Sequence, residues 1–139
     1  MKIRGQCHCG NLTYELDTQI AAADIKARAC DCSFCRIHAA RNWSDPNGSA
    51  AIEVRNPQQL QRYLFALATA EFFICRVCGA YLGAILFAAD GIWSTVNLRL
   101  SDLPDVSEEN ASYGSEGKGE RISRRKTVWT PTQLVGLPE

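Results

Sequence analysis

The chain has 139 residues, 46% of them hydrophobic, and its fifteen Lys and Arg balance fifteen Asp and Glu. That is the size of one ordinary domain, roughly 100–200 residues, with enough apolar content for a core of its own. Zero net charge excludes a global field that would gather nucleic acid or an anionic membrane, and the longest apolar stretch, Cys78 to Ala89, is well short of the roughly 20 residues a membrane helix needs.

The first turn is Gly5-Gln6-Cys7-His8-Cys9-Gly10, after a charged N-terminus with no hydrophobic run behind it, which predicts no signal peptide and a cytoplasmic location. Leu12 to Leu16 alternates apolar and polar, the period of a half-buried strand, and Ile25 to Ala29 does the same and delivers Cys30 at a strand end. In Cys30-Asp31-Cys32-Ser33-Phe34-Cys35, Ser33 is placed to cap a short helix running from Phe34 to Ala40. Cys35 then sits in the first turn, where the positive helix end favours thiolate. Trp43 reads as a core tryptophan. Asp45-Pro46-Asn47-Gly48 predicts a turn before a strand from Ala51 to Arg55, and Asn56-Pro57 a turn before a strand near Leu60 to Phe65. Glu71 to Ile74 enters Cys75-Arg76-Val77-Cys78-Gly79, and Tyr81 to Phe87 leaves it. Trp93 to Leu100 places Val96, Leu98 and Leu100 on one face of a strand. Glu108 to Glu120, rich in glycine, serine and charge, reads as a mobile loop, and Arg121, Arg124, Arg125 and Lys126 as a solvated basic segment. Many short strands between turns predict a mainly β fold with little helix.

Seven cysteines is an odd number, and without an export signal a disulfide scaffold is the weaker explanation. All seven lie in three close-spaced clusters, the arrangement that lets one turn bring two sulfurs to an ion at about 2.3 Å. Joining Cys7 and Cys9 to Cys75 and Cys78 gives a closed four-thiolate zinc site, the structural type. Gly10 and Gly79 end those turns, where positive φ frees amides to point at sulfur. Cys30, Cys32 and Cys35 supply three ligands and leave a fourth position, open as in a catalytic zinc or filled by another protein ligand. His38 is close enough to fill it, although a partly exposed histidine near the pocket is the plainer reading; His8, between two ligands, points away.

The ordered motifs Gly5-Gln6-Cys7-His8-Cys9-Gly10, Cys30-x-Cys32-Ser33-x-Cys35-Arg36 and Phe73-Ile74-Cys75-x-x-Cys78-Gly79 resemble the glutathione-dependent formaldehyde-activating enzyme family. The family is also called the centromere protein V or S-(hydroxymethyl)glutathione synthase-like family. The resemblance covers about Lys2 to Leu103 and divides the chain into a zinc domain, 1–103, and a divergent extension, 104–139, packed on it. It implies an Mss4-like β-tent of zinc-stapled antiparallel sheets, a structural zinc on Cys7, Cys9, Cys75 and Cys78, and a catalytic zinc on Cys30, Cys32 and Cys35. It also implies a carbon–sulfur lyase-like activity on a thiol adduct, formaldehyde plus glutathione or a related substrate. Asp31 departs from the histidine frequent in the family. Arg36, and after it Arg41, are the candidates for a glutathione carboxylate, as bidentate partners, or are simply exposed arginines. The expected partner is a small thiol such as glutathione, with no membrane. The other class of reading is a zinc-stabilised β scaffold that binds a protein or nucleic acid through the Arg121–Lys126 cluster, and a third is thiol redox chemistry.

Overall fold

The computed structural model describes residues 1–103 and 105–137. In chain order the elements are β1 (Lys2–Gln6), β2 (Leu12–Asp17), β3 (Lys26–Cys30), α1 (Ser33–His38), β4 (Asn42–Trp43), β5 (Ser49–Val54), β6 (Leu60–Tyr63) and β7 (Glu71–Cys75). They continue with β8 (Tyr81–Ala88), β9 (Gly91–Asn97), β10 (Ser107–Ala111), α2 (Lys118–Val128) and β11 (Thr130–Val135). Strands hold 44% of the chain and helix 19%, so the fold is mainly β, as the turn-punctuated sequence predicts. Among the described residues, no helix is long and apolar enough to cross a membrane.

One path of paired strands runs β1-β2-β5-β11-β9-β4-β3-β10, and a branch from β9 runs through β8 and β7 to β6. The pairings are antiparallel except two, β3 with β10 and β5 with β11. β9 is the node. It carries β8 along one edge, and shares the other between β4, at Asn42 and Trp43, and β11, at Thr130 and Pro131. β11 then leaves β9 and pairs parallel to β5 from Thr132 to Val135, so the last strand ties the two halves of the molecule together. Thr130 at the crossing is fully buried and its hydroxyl accepts from the Asp45 amide at 2.8 Å.

The main core gathers Ile3, Leu12, Leu16, Ile52, Val54, Phe73, Leu82, Ile85 and Val96, all at or below 1% exposure. Each such side chain stabilises the fold by about 1.5–3 kcal/mol relative to exposure. β8 shows no alternation because both faces are covered: Leu82 and Ile85 enter this core, while Tyr81, Ala84 and Leu86 enter a second cluster with Phe34, Cys35, Phe72 and Trp129. That second cluster lies under the cysteine triplet.

Four expectations change. The strand from Trp93 ends at Asn97, because its side-chain oxygen accepts from the amides of Arg99 and Arg41 and turns Leu98–Leu100 into 3₁₀ helix. The helix start is capped by Cys32, whose sulfur accepts from the Cys35 amide at 3.4 Å, and not by exposed Ser33. The expected mobile loop from 108 to 120 is ordered for most of its length. β10 adds to the open edge of β3, where free amides recruit a strand regardless of side-chain polarity, and the Asp31 amide extends the pairing to Ala111 O at 3.0 Å. The expected solvated basic segment is the helix α2, with Arg125 on its buried face.

Candidate metal centres and their cavity

The first cysteine group joins two hairpin tips. The β1–β2 turn closes through Gly10 N to Cys7 O at 3.0 Å, and the β7–β8 turn through Gly79 N to Cys75 O at 2.9 Å. Gly10 and Gly79 have φ of 85° and 79°, the left-handed region expected of them. The Sγ atoms of Cys7, Cys9, Cys75 and Cys78 lie within 4.8 Å of one another. Cys7 and Cys9 sulfurs are 3.7 Å apart, and Cys9 and Cys75 sulfurs 3.5 Å. A tetrahedron of sulfurs at 2.3 Å from zinc has edges of about 3.8 Å, whereas a disulfide needs about 2.05 Å. All seven cysteines are free, so the geometry fits an ion and excludes cystines. The Leu12 amide donates to Cys7 Sγ at 3.3 Å, which helps to offset thiolate charge.

The second group is built by the end of β3 and the first turn of α1: Cys30 is the last strand residue, Cys32 the cap, and Cys35 helical. Their three Sγ atoms lie within 4.8 Å of one another, and no fourth His, Cys, Asp or Glu among the described residues joins them. Cys30, and after it Cys35, stabilise the Cys32 thiolate and pull that thiol far below its ordinary range. Cys30 and Cys32 push Cys35 far up, since a second negative charge in the cluster is opposed. Three sulfurs so close can all ionise only around a cation, which is the donor set a soft divalent metal requires. Behind Cys35 runs a chain of polar contacts: Asn42 Nδ2 donates to Cys35 Sγ at 3.6 Å, and the fully buried Tyr81 hydroxyl donates to Asn42 Oδ1 at 3.0 Å. Such contacts orient ligating sulfur.

The triplet opens into a cavity of about 300 Å³. Phe65, Phe72 and Trp129 supply its apolar wall; Arg28, Arg121, Arg124 and Arg125 supply its charge. Arg124 forks onto Glu116, Nε to Oε2 at 2.6 Å and Nη2 to Oε1 at 2.9 Å, with its guanidinium 3.7 Å over the Tyr113 ring. Arg121 reaches the same carboxylate at 3.3 Å and donates to Tyr113 O at 2.8 Å. Arg125 lies 4.6 Å over Trp129, and burial, then the neighbouring Arg124 and Arg121, bring its pKa down to about 10. Arg28 Nη2 donates to Ser44 Oγ and Thr95 Oγ1 at 3.0 and 2.9 Å. A shallower groove of about 550 Å³ across β1, β2 and β5 contains none of the cysteines.

Other expected residues fall elsewhere. Arg36 is exposed and does not line the cavity, because its place on α1 points it to solvent; Arg41 is likewise absent from the lining and pairs with Glu108 at 2.7 Å. Neither is positioned for a substrate carboxylate in the cavity. His38 stacks on Phe34 with centroids 4.2 Å apart, its Nδ1 is 3.0 Å from Phe34 O, and it is outside the sulfur group. His8 is exposed, Asp31 is exposed at the cavity rim, and Trp43 is in the core. Sequence reasoning missed Arg28, Arg121, Arg124 and Arg125 as parts of the cavity, and Glu116 as the carboxylate that holds two of them. One signal was present: Ile122, Arg125 and Trp129 recur at helical spacing, behind Glu120, whose carboxylate accepts from the Gly117 amide at the helix start.

No family model matches the chain, and no curated protein matches it. Among solved structures it is similar to a Rhodobacter sphaeroides protein known from a crystal structure. The two are 28% identical with a TM-score of 0.50, over 76% of this chain and 99% of that one.

Proposed function

We propose that the protein is a zinc-dependent carbon–sulfur lyase-like enzyme of the glutathione-dependent formaldehyde-activating type, acting on a small thiol and its aldehyde adduct. The observation that carries this reading is the triplet of Cys30, Cys32 and Cys35, grouped with no fourth protein ligand among the described residues and opening directly into a cavity. Cys7, Cys9, Cys75 and Cys78 would hold a structural zinc, and the triplet a second one. A zinc held by three thiolates prefers a soft fourth donor and favours a thiol in its ionised form. The chain's own residues complete the site. Phe65, Phe72 and Trp129 keep water from the reacting thiol, Asn42 holds Cys35 in orientation, and the arginines give the cavity a positive potential that favours anionic sulfur. Holding thiol and aldehyde side by side supplies the proximity that such an addition needs.

The scaffold reading rested on a basic surface, and that support is weaker here. Arg121 and Arg124 are tied to Glu116, and Arg125 is buried. Redox chemistry would need a cysteine outside the two groups, and all seven are inside them. The test is zinc content, expected at about two per chain, together with the absorption of the cobalt-substituted protein, expected to change when glutathione is added. Consumption of formaldehyde with glutathione should then exceed the uncatalysed rate. About one zinc per chain, or cobalt bands indifferent to every thiol tried, would end this reading.

A further inference from the structure

Two of the four cavity arginines have no carboxylate. Arg121 and Arg124 share Glu116, whereas Arg28 and Arg125 form no ion pair among the described residues. Arg125 is 8% exposed, donates through Nη1 to Thr69 Oγ1 at 2.6 Å, and has a buried Nε with no acceptor at all. A buried guanidinium with few acceptors and no counter-charge is costly, and an anion in the cavity would supply that charge. Both forks are already held: Arg125 by Thr69 and the Trp129 face, Arg28 by Ser44 and Thr95. Both line the cavity that holds the cysteine triplet.

We propose that Arg28 and Arg125 form an anion subsite in this cavity, and that it takes the carboxylate of a short thiol acid. A planar, delocalised fork matches a carboxylate bidentately, and the sulfur cluster sets where the thiol end lies. The cavity, at about 300 Å³, is at the lower end of the roughly 300–1,000 Å³ of ligand sites, so few bonds separate the two ends. This deepens the proposed function and rests on its reading of the triplet as a thiol site. It also moves carboxylate recognition from Arg36 to Arg28, which sequence spacing did not single out, and to Arg125, which reads from sequence as part of a solvated basic segment.

The probes are 3-mercaptopropionate and its methyl ester, which share a carbon skeleton and a thiol but differ in charge, titrated calorimetrically into the zinc-loaded protein. The acid should bind at least about tenfold tighter than the ester, and Arg125→Gln should remove most of that margin, weakening the acid far more than the ester, whose thiolate loses only the long-range pull of one charge. Equal binding of acid and ester by the unaltered protein, or a margin that survives Arg125→Gln, overturns the subsite. Should Arg125→Gln fail to fold, Arg125→Lys keeps the charge without the fork and should lose about half the margin on a logarithmic scale; retention of the full margin overturns the subsite equally. Propionate, which has no sulfur, separates the two readings. If it binds in an Arg125-dependent way and neither thiol binds tighter than it does, the anion subsite stands and the thiol chemistry of the triplet falls.

Discussion

The two sulfur groups use the same ligand in opposite settings. Cys7, Cys9, Cys75 and Cys78 come from the tips of two hairpins about 70 residues apart in sequence, so closing that group fixes the relative position of β1–β2 and β7–β8. Cys30, Cys32 and Cys35 come from six consecutive residues, and closing their group fixes little beyond the local turn into α1. The second group lines the cavity described above, with arginines across from it, and none of the first group's cysteines does. An ion in the first place would be part of the fold, and an ion in the second would be part of a site. Span along the chain, more than ligand type, sets this division.

The strongest test of that contrast is Cys75→Ala. Cys75 is 1% exposed and its sulfur is 3.5 Å from Cys9, so the substitution opens the closed group and leaves a hole in the core. Structural zinc contributes on the order of 10 kcal/mol, comparable to the whole stability of a typical domain, and the variant should be largely unfolded at 25 °C by circular dichroism. Cys32→Ser should behave differently. Zinc content should fall by about one per chain and any lyase activity should vanish, while the melting temperature moves by only a few degrees. If Cys32→Ser unfolds the chain as thoroughly as Cys75→Ala, the contrast between the groups is wrong.

A smaller effect probes the hairpin tips themselves. Gly79 holds φ of 79° with open space where a Cβ would sit, so Gly79→Ala meets no clash and reports the backbone alone. The expected loss is about 1 kcal/mol in urea unfolding of the zinc-loaded protein. A loss several times larger would mean that the tip amides are disturbed and metal affinity falls as well.

Both sulfur groups were legible in the sequence because each ligand pair or triplet is carried by one local turn, and close cysteine spacing survives any uncertainty about strand positions. Most strands up to β9 were legible too, β1 and β4 excepted, since alternation as in Leu12 to Leu16 records one buried face directly. The far wall of the cavity was not. β10, Ser-Glu-Glu-Asn-Ala, is a strand because β3 offers it an unpaired edge, and no apolar pattern marks such pairing. α2 buries an arginine whose guanidinium lies on Trp129, and hydropathy counts that residue as polar. The expected anion partner, Arg36, came from proximity to Cys35 in sequence, but one turn of helix is enough to point it the other way.

The smallest predicted effect concerns how that far wall is held. Glu116 is partly buried, and the Arg124 fork, with Arg121 beside it, holds its carboxyl below the ordinary 4.5 against the opposing pull of burial. A carboxylate whose folded pKa is depressed adds stability above its unfolded pKa and loses it as pH falls through the folded one. Glu116→Gln should therefore be less stable than the native chain by about 1 kcal/mol near pH 7, and the two should converge as pH falls below the ordinary 4.5 and through the depressed folded pKa. Thiolate protonation weakens metal binding in both proteins over an overlapping range, so the quantity to follow is the difference between their denaturant midpoints as pH is lowered. A difference that stays constant with pH would show that Glu116 acts through packing rather than charge. A difference that shrinks would tie the order of the 113–125 segment, and with it the placement of Arg125, to one ionised carboxylate.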